Sequence, residues 1–162
     1  MFRMSDLSFD DLAMPLLPAL QNYARWLTKN VAEAEDLVQE TYVKGRRGFG
    51  SFTPGTNFRA WMYRILRNTF LTSRSGLRAQ VSVEDEEIPI ESPERHLITR
   101  IDHGVVRRAI EELPVIFREV LLLSDVEEMS YREIAESLSI PIGTVTSRLL
   151  RARRKVREAL QR

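Results

Sequence analysis

Apolar residues recur at helical spacing along most of the chain, and one central stretch lacks that period. Leu16, Leu17, Leu20, Tyr23, Ala24 and Leu27 form a first stripe. Ala34, Leu37, Val38 and Thr41 form a second, after a break at Lys29-Asn30. Phe58, Trp61, Met62, Ile65, Leu66, Thr69 and Phe70 form a third. Residues three and four apart share one helix face, so each stripe predicts an amphipathic helix that buries it. Residues 75–95 (SGLRAQVSVEDEEIPIESPER) are polar and acidic and contain Gly76, Pro89 and Pro93. They predict an extended linker, in which Val81-Ser82-Val83 is too short to found a sheet. The expected fold is all-α: two small helical domains, residues 1–75 and 98–162, joined by an acidic flexible linker at 76–97.

The C-terminal pattern is the most specific. Ser130 and Glu133 have the spacing of a capping box, with Met129 and Ile134 placed as a hydrophobic staple. Ile134, Ala135 and Leu138 continue the apolar face, and Ser139-Ile140-Pro141 ends it. Pro141 suits the first turn of a following helix, and Gly143 permits close backbone approach there. That helix has Ile142, Val145, Leu149, Ala152, Val156 and Leu160 on one face. Its other faces carry Thr144, Thr146, Ser147, Arg148, Arg151, Arg153, Arg154, Lys155 and Arg157. Helix, tight turn and basic helix together predict a helix-turn-helix, whose second helix offers short polar side chains to base edges and guanidinium groups to phosphates. A solvated basic helix is the plain alternative, but it leaves the capped partner helix and the Pro-Gly turn unexplained.

Composition changes this picture in one respect. The formal net charge is only +1, which by itself predicts no nucleic acid. Its distribution does. Residues 141–162 hold seven Lys/Arg against one acid, a net +6, and residues 101–140 hold four Arg against nine acids, a net −5. The absence of cysteine excludes a disulfide framework and a thiolate metal site. No apolar run approaches a membrane span, and the N-terminal MFRMSDLSFDDLAMP has no signal-peptide core.

The N-terminal half carries a second basic surface. The third stripe's helix bears Arg59, Arg64 and Arg67, with Arg74 just beyond, beside Asn57, Tyr63 and Asn68. Before it lies the loop Gly48 to Thr56 with Phe49 and Phe52, which lacks the Gly-Lys-Ser/Thr ending of a phosphate-binding loop. Aromatic rings beside guanidinium groups suit an unpaired strand, which binds by stacking and phosphate contact. The plain alternative packs both rings under their own loop, and Trp61 belongs to the core stripe. The second stripe's helix is acidic outside, with Glu33, Glu35, Asp36, Gln39 and Glu40. That face gives solubility and a favourable helix dipole, or docks a basic protein.

AEDLVQETYVKGRRGFGSF (34–52), FRAWMYRILRN (58–68) and the C-terminal helix-turn-helix, in that order, resemble a bacterial extracytoplasmic-function (ECF) sigma factor, a class that keeps only sigma regions 2 and 4. The resemblance runs from about Leu16 to Leu160. It implies a transcription initiation factor that binds core RNA polymerase, directs it to promoters and answers to an anti-sigma factor, in the cytoplasm and without a cofactor. It further implies that Asp36, Leu37, Gln39 and Glu40 dock on the β′ clamp helices. Phe49, Phe52, Asn57, Arg59, Tyr63, Arg64, Arg67 and Asn68 would read the melted −10 element, with a flipped base held by the loop. Thr144, Thr146, Ser147, Arg148, Arg151 and Arg154 would read the −35 element, and region 4 would also contact the β flap. Where many relatives carry Asp four residues after the asparagine matching Asn68, this chain has Thr72, followed by Ser73.

Other classes remain compatible with parts of the pattern. A two-domain regulator would bind an operator without polymerase. An RNA-binding or antitermination protein would use the aromatic loop alone. An enzyme has least support: the only histidines, His96 and His103, have no nucleophile at a telling spacing, and no carboxylate group forms a metal motif.

Overall fold

The structure is a computed structural model that describes residues 7–73 and 103–161. The linker at 76–97, Arg74, His96 and Val81–Val83 lie outside the described residues. Among the described residues every regular element is helical.

Local chemistry sets each boundary of the first half. Helix α1 (Phe9–Ala13) starts from a reciprocal cap: Ser8 Oγ accepts from the Asp11 amide at 3.2 Å, and Asp11 accepts from the Ser8 amide at 3.0 Å. One 3-10 turn, Met14–Leu16, leads into α2 (Leu17–Thr28). The Lys29-Asn30 break is a left-handed cap at Lys29 (φ 59°) followed by an Asn30 N-cap, whose side chain accepts from the Glu33 amide at 3.0 Å. Helix α3 spans Val31–Gly48, and α4 spans Phe58–Ser73. All three predicted stripes are present, with Leu20, Tyr23, Leu27, Ala34, Leu37, Val38, Met62, Leu66 and Phe70 buried, and Tyr63, outside the third stripe, is buried with them. Leu16 sits in the 3-10 turn instead of the helix, and Trp61 and Ile65 are half-buried at its edge.

The second half holds α5 (His103–Glu111), α6 (Val115–Leu121), α7 (Tyr131–Leu138) and α8 (Ile142–Leu160). Helix α6 runs into a π turn, Leu122–Val126, and the chain reverses at Glu128 (φ 53°). Ser130 Oγ accepts from the Glu133 amide at 3.1 Å, but the Glu133 carboxylate does not complete the box; it accepts from Asn57 Nδ2 at 3.2 Å instead. The staple is in place, with Met129 and Ile134 both buried. Ser139, at φ 56°, makes the left-handed turn between α7 and α8, and Pro141 is the N-cap of α8, one position before its first turn. A Cβ at Gly143 would meet nothing within 4 Å, so nothing inside the protein demands glycine there. Ile142 is 55% exposed and stands off the core face.

The two halves share one continuous buried cluster. Helix α4 lies along α7, so the two domains expected on either side of a linker are packed together.

Candidate nucleic-acid interface

The aromatic loop is a packed cluster. Phe49 and Phe52 stack with centroids 5.9 Å apart and planes 11° from parallel. Phe52 meets Phe58 edge-on at 5.3 Å and Trp61 at 5.2 Å. Both loop rings are half-buried, so each packs under the loop and keeps part of its surface toward solvent. Asn57 caps α4, with Oδ1 accepting from the Ala60 amide at 3.0 Å.

Every described basic side chain of α4 points into the second half. Arg59 donates to the Glu127 carbonyl, and the Tyr63 hydroxyl donates to Glu127 Oε2 at 3.1 Å. Burial and the Glu127 carboxylate push the Tyr63 hydroxyl pKa well above the usual phenol range. Arg64 donates twice to the Glu136 carbonyl, at 3.1 and 2.6 Å. Arg67 donates to the Leu138 carbonyl at 3.2 Å and makes a two-pronged pair with Glu119, at 3.0 and 3.3 Å. The carbonyls of 136 and 138 belong to the last turn of α7, where a helix has no N–H donors of its own to offer them and carries partial negative charge. Two guanidinium groups therefore cap α7. From the other side, Arg118 donates to the Leu27 carbonyl at 3.2 Å, and Arg107 lies 4.8 Å from the Trp26 ring centroid.

Glu119 is the centre of this contact. It is 0% exposed, and Arg67 is 8% exposed. Burial raises its carboxyl pKa, opposed first by Arg67 and then by Arg148 and Arg118. The pair occupies low-dielectric surroundings, where losing one partner leaves a charge without compensation.

Helix α8 is different. Thr144, Thr146, Ser147, Arg151 and Arg154 are all partly exposed along one side of it. The Thr146 and Ser147 hydroxyls bond back to the Ile142 and Thr144 carbonyls at 3.2 Å each. Arg151 lies 5.7 Å from the Phe117 ring centroid, and Arg153 pairs with Asp125 at 2.9 Å. Arg148 departs from the expected position: it is 6% exposed and faces Glu119. Asn68, on α4, is exposed.

On α3, Asp36, Gln39 and Glu40 are exposed while Leu37 is 6% exposed and belongs to the core. Asp36, Leu37 and Glu40 line a groove of about 400 Å³ with Thr28, Glu33, Phe70 and Ser73. Glu40 also pairs with Lys44 at 3.3 Å.

Sequence reasoning missed Glu119, Glu127 and Glu133 as partners of α4. Glu119 did leave a signal, since Arg118-Glu119 interrupts the apolar run VIFREVLLL, and a charge inside such a run needs a buried partner. Glu127 and Glu133 left none.

The arrangement defines a class: a pair of helical modules, each with a basic helix suited to DNA and the second built as a helix-turn-helix. Family comparison gives the class its identity. The sigma-70 region 2 pattern matches residues 12–80, and the sigma-70 region 4 pattern matches residues 103–156. The chain is 38% identical over 143 residues to the RNA polymerase sigma-H factor of Pseudomonas aeruginosa, covering 80% of this chain and 74% of that one. It is 34% identical over 159 residues to the ECF RNA polymerase sigma factor SigE of Mycolicibacterium smegmatis, covering 94% of this chain but only 62% of that one. Among solved structures, the sigma factor RpoE of Bartonella quintana, in complex with the anti-sigma factor NepR, aligns with a TM-score of 0.73 at 31% identity over 94% of this chain and 96% of that one. CnrH, in complex with the cytosolic domain of CnrY, aligns with a TM-score of 0.69 at 26% identity over 94% of this chain and 87% of that one. The chain belongs to the sigma-70 family, within its ECF group.

Proposed function

We propose that this chain is a promoter-directing initiation factor that binds core RNA polymerase through the α3 face, reads a melted −10 element with α4 and its loop, and reads a −35 element with α8. The observation that carries this reading is the pair of region 2 and region 4 matches on one chain, each falling on a helix of the expected chemistry. Residues 1–75 act as region 2, 98–162 as region 4, and 76–97 as the connection between them. Asp36, Leu37, Gln39 and Glu40 serve docking on the β′ clamp, with only the three exposed side chains able to touch it directly. The site of action is the cytoplasm, where polymerase and promoter are. One solved relative, the sigma factor RpoE, is described in complex with an anti-sigma factor, which supports the same control here.

This function requires the two regions to part. We infer that the closed arrangement masks the −10 surface, because region 4 offers carbonyl and carboxylate oxygens where a DNA strand would offer phosphates. Arg59, Arg64 and Arg67 cannot serve both acceptors at once. On polymerase, tethering both regions raises the effective concentration of two weak DNA contacts.

The test is run-off transcription with core polymerase, the purified chain and fragmented genomic DNA. Transcript starts that share paired −10 and −35 motifs support the reading; no chain-dependent starts, with folding verified, would refute it. The masking is tested by energy transfer between dyes on Gln21→Cys and Gln161→Cys, exposed positions in a cysteine-free chain. Transfer should fall on adding core polymerase, and unchanged transfer in an active holoenzyme would refute the masking.

A further inference from the structure

The region 2 match begins at residue 12, yet the residues just before it are built into the aromatic loop. Phe9, on α1, is 6% exposed. Its ring meets Phe49 edge-on at 5.6 Å, Tyr42 at 5.1 Å and Phe58 at 6.0 Å. Edge-to-face packing at these separations is attractive and directional, so it fixes a ring's position as well as burying it. The contacts run in series: Phe9 against Phe49, Phe49 stacked on Phe52, Phe52 against Trp61.

Two further features hold Phe9 in that seat. Helix α3 carries Gly45 in its interior, where alanine would be the better helix former. A Cβ at Gly45 would lie 3.0 and 3.1 Å from Phe9 ring atoms and 2.9 Å from Met62 Sδ, so glycine leaves the space the ring fills. On the solvent side, the Asp10 carboxylate accepts from the Tyr42 hydroxyl and from Arg46 Nη2, the latter at 2.6 Å. With the reciprocal cap at Ser8 and Asp11, this holds the first turn of a five-residue helix both within the chain segment and to α3.

We propose that α1 is the floor of the −10 loop, and that Phe9 is a positioning residue which, through Phe49 and Phe52, sets the space in which the loop takes an unpaired promoter base. The proposal rests on the reading of this loop as the base-holding element. It extends base selection to residues that touch no DNA.

The experiment uses holoenzyme assembled from core polymerase and the full chain, on a promoter library randomised across the −10 element with a fixed −35 element. Four variants are compared with the parent: Phe9→Ala, Phe9→Leu, Gly45→Ala and Asp10→Ala. Phe9→Ala removes the ring, Gly45→Ala displaces it while keeping it, and Asp10→Ala releases the exposed anchor without touching the core. Each is assayed below its own melting transition. Phe9→Ala and Gly45→Ala should change the preference at one −10 position by fivefold or more, with core-polymerase affinity within twofold of the parent. Asp10→Ala should shift the same position less, and Phe9→Leu should recover part of the preference. Amide exchange at Phe52, whose N–H bonds to the Phe49 carbonyl at 3.0 Å, should accelerate in the same order. Activity that falls equally for all bases, or preferences that stay unchanged, would overturn the proposal, since a purely structural helix predicts that result. A parent holoenzyme that shows no −10 preference would instead refute the base-holding reading beneath it.

Discussion

Helices α4 and α8 have similar chemistry and opposite situations. Both are amphipathic, both carry arginine at one-turn spacing, and they fall in the region 2 and region 4 matches of the same family. The described guanidinium groups of α4 are engaged by region 4, whereas Arg151 and Arg154 of α8 keep exposed surface. The difference lies in the neighbours. Helix α4 faces the last turn of α7 and the buried Glu119, which supply the oxygens that basic side chains seek. Arg151 of α8 lies instead against the Phe117 ring of its own half. Two residues break the pattern within α8: Arg148 turns inward to the carboxylate that Arg67 also holds, and Arg153 pairs with Asp125. A basic helix in a free protein is thus not automatically a presented one.

The largest expected effect tests the centre of that contrast. Glu119→Ala should cost about 3–5 kcal/mol, because it leaves Arg67 and Arg148 buried without their shared counter-charge. Urea unfolding measures it, and a loss below about 1 kcal/mol would show that the ion pair does not bear on stability. The two arginines of α8 should then separate. Arg151→Ala should weaken −35 recognition by about 1–3 kcal/mol if its guanidinium reads a base edge, while Arg148→Ala should lower the melting temperature and leave the relative ranking of −35 sequences intact. A mutant scan of the −35 element in both variants decides this; a changed ranking with Arg148→Ala would restore it as a base reader. Smaller again is Glu127→Gln combined with Glu133→Gln, which weakens two half-exposed hydrogen bonds at about 1 kcal/mol each. It should lower interdomain energy transfer and raise the free chain's affinity for a single-stranded −10 oligonucleotide. Unchanged values for both would mean that these acceptors do not hold the regions together.

The smallest effect concerns pH. The Tyr42 hydroxyl, and then Arg46, hold the Asp10 carboxyl below the usual carboxylate range. Its contribution is therefore complete above the ordinary carboxylate pKa and is lost as pH falls through the lowered value. The melting difference between the parent and Asp10→Asn should shrink as the buffer is taken from neutral to acid. A difference that does not vary with pH would remove Asp10 from the anchoring of α1.

Much of the architecture was legible in the sequence because its determinants are local. The three N-terminal stripes, the Lys29-Asn30 break and the Ser130 cap follow from helical period and capping chemistry, which act over a few residues. The aromatic loop was half legible. The rings of Phe49 and Phe52 were visible, but their support by Phe9 was not, since that contact spans 40 residues and depends on a gap left by Gly45. The closure of the two regions was least legible. Glu133 was assigned to its own helix cap, three residues away, and it serves Asn57, 76 residues away. Sequence pattern identifies a side chain that needs a partner; it does not say whether that partner lies within the chain or on another molecule. The same limit applies to Arg64 and Arg67, whose donors suit phosphates and backbone carbonyls alike.

The separation of Arg67 from Glu119, 52 residues along the chain, also gives the molecule a history. A chain leaves the ribosome N-terminus first, and domains fold as units in that order. Region 2 is therefore synthesised while the acceptors of α7 are still unmade. For that interval the nascent protein shows a basic surface that the finished one covers, so the earliest opportunity for a nucleic acid or an inhibitor to meet α4 falls during translation itself.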